Sequence, residues 1–212
     1  MRWNLIKLLS ISGSPVADSS TDYLLKHMAE QIDANLKDSV VIETEFIKLQ
    51  NHSIKPCEAC GFDPSPNFCI HDDINDIYDK LIHADCLLFG SPIYFDSVSA
   101  QAKLLIDRCN CFRPPYYQDT DSEHLFRKRL PKKRPGAMVL VGGEETWFEG
   151  ARRVVAGFFK WIEISNEGLV SYGSPDYNKK GTVSDHPDVI QEADNIAKKL
   201  SDILKDTHDK SK

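Results

Sequence analysis

Short apolar runs alternate with amphipathic segments along most of the chain. The runs that predict strands are 5–11, 39–49, 84–89, 137–141 and a fifth assembled from 161–165 and 169–173. Between these runs, apolar residues recur every three or four positions, which predicts helices. The helices are expected around 24–32, after Asp72 and Asp73, over 97–109, over 144–161 and from Asp185-His186-Pro187 onward. Asp72 and Asp73 are predicted to cap the second of these helices.

Strands that alternate with helices pair in parallel through right-handed crossovers. The pattern therefore predicts an α/β fold, a flavodoxin-like three-layer sandwich whose five-stranded parallel sheet has the order 2-1-3-4-5. Gly90-Ser91-Pro92 is expected to end the third strand. A length of 212 residues suits one domain, 1–212. Two segments lack periodicity: 51–71, with three cysteines, is predicted to be a long functional loop, and 110–135 a basic excursion.

Composition narrows the class of protein. The net charge of −6 argues against general affinity for nucleic acid. No apolar stretch approaches the length of a membrane span, and the first residues lack the apolar core and cleavage site of a secretory signal. We therefore expect a cytoplasmic protein with no nucleic-acid or membrane partner, whose six cysteines stay reduced.

The loop after the first strand is rich in small hydroxyl residues and opens directly into a helix. The N–H groups and the positive dipole end of a helix start attract phosphate, and hydroxyl groups add neutral donors. The lysine of a P-loop and the glycine spacing of a dinucleotide fingerprint are both missing, so FMN fits better than ATP or NAD. The candidate phosphate ligands are Ser14, Ser19, Ser20 and Thr21. A serine-rich turn with a redundant helix cap is the alternative.

Two further strand-end loops offer contacts for a flat ring. The loop after the third strand supplies apolar and aromatic surface for an isoalloxazine, through Pro92, Ile93, Tyr94 and Phe95. The loop after the fourth strand contains Gly142 and Gly143, which let backbone approach a ligand closely because glycine has no side chain. Alternatively, the two aromatic rings only pack their loop onto the core.

Five motifs spread over most of the chain carry a family resemblance. They are GSPVADSST, CEAC followed by C.HDD, ADCLLFGSPIYFDSVSAQAKLLIDR, KRPGAMVLVGGEE and KKGTVSDHP. They resemble the NADPH-dependent FMN reductase-like proteins, and among them the iron-sulfur flavoproteins. The resemblance implies a flavodoxin-like fold, bound FMN, reduction by NAD(P)H or a protein donor, and a homodimer or homotetramer.

The resemblance also assigns contacts to the cofactor. It implies that the hydroxyl residues of the first loop hold the phosphate, and that residues 92–95 with Gly142 and Gly143 border the isoalloxazine. Many relatives have an arginine where this chain has Val16. A cationic phosphate contact is therefore lost unless another side chain supplies it.

The cysteine-containing loop resembles the C-x2-C-x2-C-x5-C motif of the iron-sulfur flavoproteins. Cys57, Cys60 and Cys69 match three of its positions, and Asp63 stands where the third cysteine belongs. An iron-sulfur cluster normally takes four cysteines, although a carboxylate can hold one iron. A Cys3His zinc site with His71 is a second alternative, with a cramped spacing. The residues favour a third alternative, a loop without metal.

A basic run precedes the fourth strand and consists of Arg127, Lys128, Arg129, Lys132, Lys133 and Arg134. Such a run is usually solvated surface. Its functional interpretation is a docking patch for an acidic partner such as ferredoxin, or for the extra phosphate of NADPH. Cys109 and Cys111, near a helix end, are predicted to be packing residues.

The sequence thus predicts an FMN-dependent oxidoreductase of ping-pong type. NAD(P)H reduces the flavin, which then reduces a small acceptor such as a quinone, free flavin or oxygen. Because the flavin carries out the redox chemistry, no catalytic side chain is predicted. One alternative is an electron carrier that serves ferredoxin or a larger redox complex. Another is a cofactor-free interaction module of the same fold.

Overall fold

A computed structural model of the chain describes residues 5–116, 125–143, 148–174 and 181–209. Its long parallel strands are β1 (Leu5–Ser12), β2 (Val41–Lys48), β3 (Cys86–Tyr94), β4 (Arg134–Gly142) and β5 (Ile164–Gly173). They are hydrogen-bonded in the order β2-β1-β3-β4-β5. A two-residue strand, Ser97–Val98, pairs antiparallel with the end of β3 and makes the sheet six-stranded. The predicted fold class and parallel order are confirmed, and the short strand is an addition.

The helices of the described residues are α1 (Ser20–Leu36), α2 (Asn75–His83), α3 (Ala100–Arg108), α4 (Glu149–Trp161) and α5 (Pro187–Asp209). Short 3-10 helices occupy Leu49–Asn51, Cys109–Phe112 and Thr182–Asp185. In the basic excursion, Pro115–Tyr116 pairs with Leu125–Phe126. The predicted start of the fourth helix, 144–147, lies outside the described residues. None of the described helices combines the length and the apolar character needed to cross a membrane.

Helices cover both faces of the sheet, so side chains that point to opposite faces of a central strand are buried on either side. On one face, Leu8 and Leu88 pack with residues of α1 and α5. On the other face, Leu9 and Phe89 pack with residues of α2, α3 and α4. Burial on both faces explains why the central strands β1, β3 and β4 are rich in apolar residues, whereas the edge strands β2 and β5 carry more polar residues. The two layers fix the carboxyl ends of β1, β3 and β4, where the loops of interest begin.

The predicted end of the third strand is wrong. β3 passes through Gly90-Ser91-Pro92 and continues to Tyr94, with Pro92 opposite Val141 of β4. Gly90 serves close packing instead of a turn, since a Cβ atom there would lie 2.7 Å from Thr21 Cγ2 of α1. The continuation brings the aromatic residues that follow into the sheet itself.

The predicted cap of the second helix is also wrong. Asp72 and Asp73 do not cap α2, whose N-cap residue is Ile74 and has no side-chain hydrogen bond. The Asp73 carboxylate instead accepts hydrogen bonds from the Arg108 guanidinium and from the Lys55 N–H. An ion pair with a distant residue therefore replaces the local cap.

Candidate cofactor site

The loops that follow β1, β3 and β4 meet at the carboxyl edge of the sheet, where the start of α1 joins them. They border a cavity of about 360 Å³. Its described lining residues are Ser14, Val16, Ser19, Ser20, Thr21, Pro92, Ile93, Tyr94, Phe95, Val141, Gly142, Gly143 and Ser174. Every residue predicted to bind the cofactor is among them. The structure therefore brings the three predicted loops together, and adds Val16, Val141 and Ser174 to the lining.

α1 begins at a capping box that leaves donors for an anion. Ser19 Oγ accepts the Asp22 N–H at 3.2 Å, and the Asp22 carboxylate accepts the Ser19 N–H at 3.4 Å. The first N–H groups of a helix have no intrahelical partner, and those of Ser20 and Thr21 belong to residues that line the cavity. The buried Ser14 adds a hydroxyl group to the same end of the cavity. This set of neutral donors at a helix start suits a phosphate.

A buried ion pair lies directly behind this loop. Lys48, the last residue of β2, pairs with the Asp22 carboxylate and donates a hydrogen bond to the Val16 carbonyl at 2.7 Å. Only 14% of the Lys48 side chain and 4% of the Asp22 side chain are exposed. The ammonium therefore neutralises a carboxylate that would repel an anion at the helix start. Sequence reasoning missed Lys48, although the parallel pairing of β1 with β2 places it opposite Ser12, where the loop begins.

Ser99 fastens the first loop to the second. Its Oγ donates to the Gly13 carbonyl at 2.6 Å and accepts the Ala102 N–H, which makes it the N-cap residue of α3. Its own N–H donates to Ser91 Oγ at 2.9 Å. The Gly13 N–H completes the link by donating to the Gly90 carbonyl at 2.7 Å. One buried hydroxyl group thus holds both loops and a helix start in register.

We expect Ser99→Ala to destabilise the protein by about 1.5 kcal/mol, because a helix cap is lost and the buried Gly13 carbonyl loses its donor. The midpoint of urea unfolding should fall while the m-value stays unchanged. FMN binding should weaken as well, since the first loop is released from the second. Ser53→Ala, in the exposed part of the cysteine loop, is the control. Equal midpoints for the two variants would contradict this role of Ser99.

The aromatic wall of the cavity is a hairpin. Pairing of β3 with Ser97–Val98 leaves Phe95 and Asp96 as its turn, with φ values of 51° and 55°. Two left-handed residues in succession are typical of a type I′ turn. Asp96 Oδ1 accepts the Gly150 N–H of α4 at 3.0 Å and anchors the turn. Phe95 is fully exposed and Tyr94 is 46% exposed, so the alternative that these rings only pack onto the core is wrong for Phe95.

The opposite wall is largely backbone. Gly142 and Gly143 line the cavity at the end of β4, and the Gly142 carbonyl accepts the Ser174 N–H at 2.7 Å. Without Cβ atoms, the two glycines let a planar ligand approach the peptide groups. None of the described lining residues carries a carboxylate, imidazole, thiol or amine. These residues can therefore bind and orient a ligand, but they supply no strong side-chain acid or base.

The cysteine loop borders a different cavity. Cys57, Cys60 and Cys69 line a mostly apolar space of about 360 Å³, together with Cys111, near the C-terminal ends of α3 and α4. In the described part of the chain, no three His, Cys, Asp or Glu side chains are placed to hold one metal ion. His71 does not complete a zinc site, because its Nε2 lies 3.0 Å from a carboxylate oxygen of Glu58. The described residues, as placed, therefore do not fit a metal ion or an iron-sulfur cluster, which the sequence left open as alternatives for the three cysteines.

Cys109 and Cys111 lie in two different environments. Cys109 is completely buried in the apolar layer beneath α2, α3 and α4, which confirms its packing role. Cys111 is partly buried and packs against the same layer, as predicted, and it also lines the cavity of the cysteine loop, which the sequence did not indicate. Burial is the largest of the effects that raise the pKa of the Cys111 thiol to about 12, so this group is neutral at pH 7.

The basic run is not uniformly solvated. The Arg129 side chain is 7% exposed, and its guanidinium lies 4.2 Å from the centre of the Phe68 ring. Arg134 is the first residue of β4 and is buried, with its guanidinium donating to backbone carbonyls near the ends of α2 and α4. Three further cations are paired with acidic side chains: Arg127, Lys128 and Lys132. The expectation of solvated surface is wrong for Arg129 and Arg134, and fewer unpaired cations remain for docking than the run predicts.

The fold and the cavity define a class of protein. It is a flavodoxin-like α/β protein with a hydroxyl-rich loop at a helix start and an aromatic wall, both at the switch point of its sheet. The sequence profile of the NADPH-dependent FMN reductase family matches residues 6–171. The chain therefore belongs to the NADPH-dependent FMN reductase family, and it is an oxidoreductase whose cofactor is FMN.

Individual proteins with similar sequences or folds agree with this assignment. An iron-sulfur flavoprotein of Methanocaldococcus jannaschii is 29% identical over 206 residues, which cover 94% of this chain and 98% of that protein. A Bacillus subtilis protein named as an NAD(P)H-dependent FMN-containing oxidoreductase is 26% identical over 173 residues, or 78% of this chain and 83% of that protein. The solved apo structure of an NADH:FMN oxidoreductase has a TM-score of 0.62 at 13% identity, covering 92% of this chain and 88% of the other. This last similarity supports the fold alone.

Proposed function

We propose that the protein oxidises NADH or NADPH and passes the electrons through bound FMN to a small-molecule acceptor. The observation that carries the proposal is the cavity at the switch point, where the predicted phosphate contacts and ring contacts meet. FMN, when bound, supplies hydride acceptance and the release of electrons singly or in pairs. The protein's own task is to hold the cofactor and leave part of it accessible.

The side chains divide this task between the two ends of the cavity. At the α1 end, the hydroxyl and N–H groups of Ser14, Ser19, Ser20 and Thr21 would hold the phosphate, and the helix dipole would add to its attraction. At the other end, Pro92, Ile93, Tyr94 and Phe95 of the hairpin wall and the backbone of Gly142 and Gly143 would border the ring. Since the described lining lacks a strong acid or base, the residues act by position and polarity.

Lys48 is expected to support phosphate binding without touching the phosphate. In Lys48→Met the Asp22 carboxylate remains buried and unpaired beside the anion, so FMN affinity should fall about tenfold. Affinity for riboflavin, which has no phosphate, should stay the same. Quenching of flavin fluorescence on titration into apoprotein measures both.

Two variants sharpen this test. Asp22→Asn combined with Lys48→Met removes both charges and should restore most of the FMN affinity. Lys80→Met is the matched control, because Lys80 also pairs with a carboxylate on β2, that of Glu45. Equal weakening of FMN and riboflavin by Lys48→Met would indicate a general loss of structure and contradict the electrostatic role.

The reductase proposal is tested on protein loaded with FMN under exclusion of oxygen. Addition of NADPH or NADH in separate experiments should bleach the flavin absorption, and later addition of a quinone or oxygen should restore it. The proposal would be overturned if dithionite bleached the bound flavin and neither NADH nor NADPH did so. Steady-state rates with both substrates varied should give the parallel lines of a ping-pong mechanism.

A second candidate function is electron transfer with a protein partner. The observation that favours it is the exposure of Tyr94 and Phe95 at the rim of the cavity, which gives a partner apolar surface next to the ring. A ferredoxin is the partner chemistry expected from the sequence, although ion pairing of the basic run reduces its electrostatic attraction. Rapid reduction by ferredoxin, together with inertness toward both nicotinamides, would favour the carrier over the reductase.

A further inference from the structure

The cysteine loop, residues 51–71, contains an acidic residue at a position where its motif calls for a thiolate. Asp63 follows Cys60 at the spacing of the third cysteine in the four-cysteine pattern. A carboxylate in that position has two alternatives. It either points toward the thiols and acts as a metal ligand with them, or it forms ion pairs or hydrogen bonds with other groups of the protein.

The structure commits Asp63 to two arginines. Its Oδ2 lies 2.7 Å from the Arg127 guanidinium, and its Oδ1 lies 3.5 Å from that of Arg129. Both oxygen atoms of the carboxylate are therefore engaged by cations from the basic run, which follows α3 in the chain. A metal ion at this carboxylate would have to displace two positive charges.

The Arg129 guanidinium also binds backbone carbonyl groups of the cysteine loop. It donates to the carbonyls of Asn67 at 2.6 Å and Phe68 at 3.2 Å, and it stacks on the Phe68 ring. It also donates to the Cys111 carbonyl at 3.4 Å, which ties the loop to the segment after α3. A side chain that is only 7% exposed and that makes this many contacts fixes the middle of the loop without any ligand.

A second arginine fixes the two ends of the loop. The completely buried Arg108 side chain pairs with Asp73 at 2.7 Å, just after the loop. It donates to the Lys55 carbonyl at 2.9 Å near the start of the loop, and to the His71 carbonyl at 3.5 Å near its end. The ends and the middle of the loop are thus all held by guanidinium groups.

We infer that an arginine clamp, Arg127 and Arg129 on Asp63, orders the cysteine loop of this protein in place of an iron-sulfur cluster. Three observations converge on this inference. The residue at the third ligand position is ion-paired, the described thiols do not gather around one metal position, and the loop is anchored along its length by protein groups. The inference is independent of the electron donor and acceptor proposed above.

Iron-sulfur reconstitution tests the first half of the inference. Purified wild-type protein and the Cys57→Ser/Cys60→Ser double variant are incubated anaerobically with ferrous iron, sulfide and a thiol reductant, and are then desalted. We expect equal background amounts of iron and acid-labile sulfide in both. Iron and sulfide in equal, stoichiometric amounts in the wild type, lost in the double variant, would overturn the inference.

Hydrogen exchange tests the second half. In Arg129→Met, amides within the cysteine loop should exchange about tenfold faster, while protection in β1 and β3 and the affinity for FMN stay unchanged. Asp63→Asn is a milder variant and should act in the same direction. The combined Arg129→Met/Asp63→Asn variant should show a smaller effect than the sum of the two single effects, because both substitutions remove the Arg129–Asp63 ion pair.

Arg153→Met is the matched control. It also removes one arginine, and its side chain is 75% exposed on α4 with its ion pair on the same helix. Its loop exchange should equal that of the wild type. Unchanged loop exchange in Arg129→Met, or protection that returns only after iron and sulfide are added, would overturn the clamp.

Discussion

Replacing Arg108 with methionine is expected to destabilise the protein by about 3 kcal/mol, since removal of one partner from a buried ion pair leaves the other charge uncompensated. Arg108 is completely buried, and its pair with Asp73 closes the cysteine loop. For a chain of this length, the thermal midpoint should fall by roughly 6 to 12 °C. Calorimetry of Arg108→Met beside the exposed Arg153→Met separates this loss from the simple removal of a cation. A midpoint shift no larger than that of the control would refute the importance of the pair.

The stability of Arg108→Met should depend less on pH in the acid range than the stability of the wild type does. Burial raises the pKa of the Asp73 carboxyl, but hydrogen bonds from the Arg108 guanidinium and the Lys55 N–H outweigh it and hold the pKa below its ordinary value of 3.8. A carboxyl group with a lowered pKa in the folded state stabilises the protein above the unfolded-state pKa. That contribution is lost as the pH falls through the folded-state pKa. Urea midpoints measured between pH 6 and about pH 3 should therefore decline more steeply in the wild type than in Arg108→Met.

Gly90→Ala is expected to cost about 2 kcal/mol in stability, because it overpacks the contact between β3 and α1. A methyl group at this position would lie 2.7 Å from Thr21 Cγ2 and 2.8 Å from Leu25 Cδ1, and both side chains are buried. Relief of the overlap moves the first turns of α1, where the phosphate would bind. FMN affinity should therefore fall about tenfold in addition to the loss of stability.

Gly157→Ala provides a control of opposite sign. Among the described residues, no atom outside the adjacent turns of α4 lies within 4 Å of a Cβ atom built on Gly157, which is on the exposed side of that helix. Alanine in a helix is favoured over glycine, so this variant should gain about 0.5 to 1 kcal/mol. Urea unfolding and FMN titration of the two variants give the comparison. Changes of the same sign in both would show that packing on α1 does not decide the outcome at Gly90.

The parts of the fold and site that were predictable are those governed by chain-local patterns. Apolar runs and helical periodicity gave the parallel strand order, and strand-end loops rich in hydroxyl, aromatic and glycine residues led to the residues that line the cavity. Parallel strands place their carboxyl ends at one edge, so residues far apart in the chain could be assigned to one place. Their binding of FMN phosphate and ring remains a prediction until titrations are made.

The features that were not predictable depend on pairs of residues distant in sequence. Lys48 contacts Asp22 because β2 pairs with β1. The residues that flank Lys48 and Asp22 in the sequence do not predict this ion pair. The burial of Arg129 and Arg134 also depends on distant residues. A run of cations is typically exposed, and these two are buried because their guanidinium groups donate to carbonyl groups of residues far away in the chain. The role of Asp73 was misread for the same reason, because a helix cap is local and its guanidinium partner is not.

The hairpin that carries Tyr94 and Phe95 belongs to the sheet and is tied to α4 through Asp96 and Gly150. We expect a wall anchored in this way to keep its shape whether the cavity is filled or empty, so binding of a flat molecule should require little loss of chain entropy there. A newly synthesised chain is therefore expected to fold before FMN binds. Protein that loses its flavin should regain colour on simple mixing with FMN, without passing through an unfolded state.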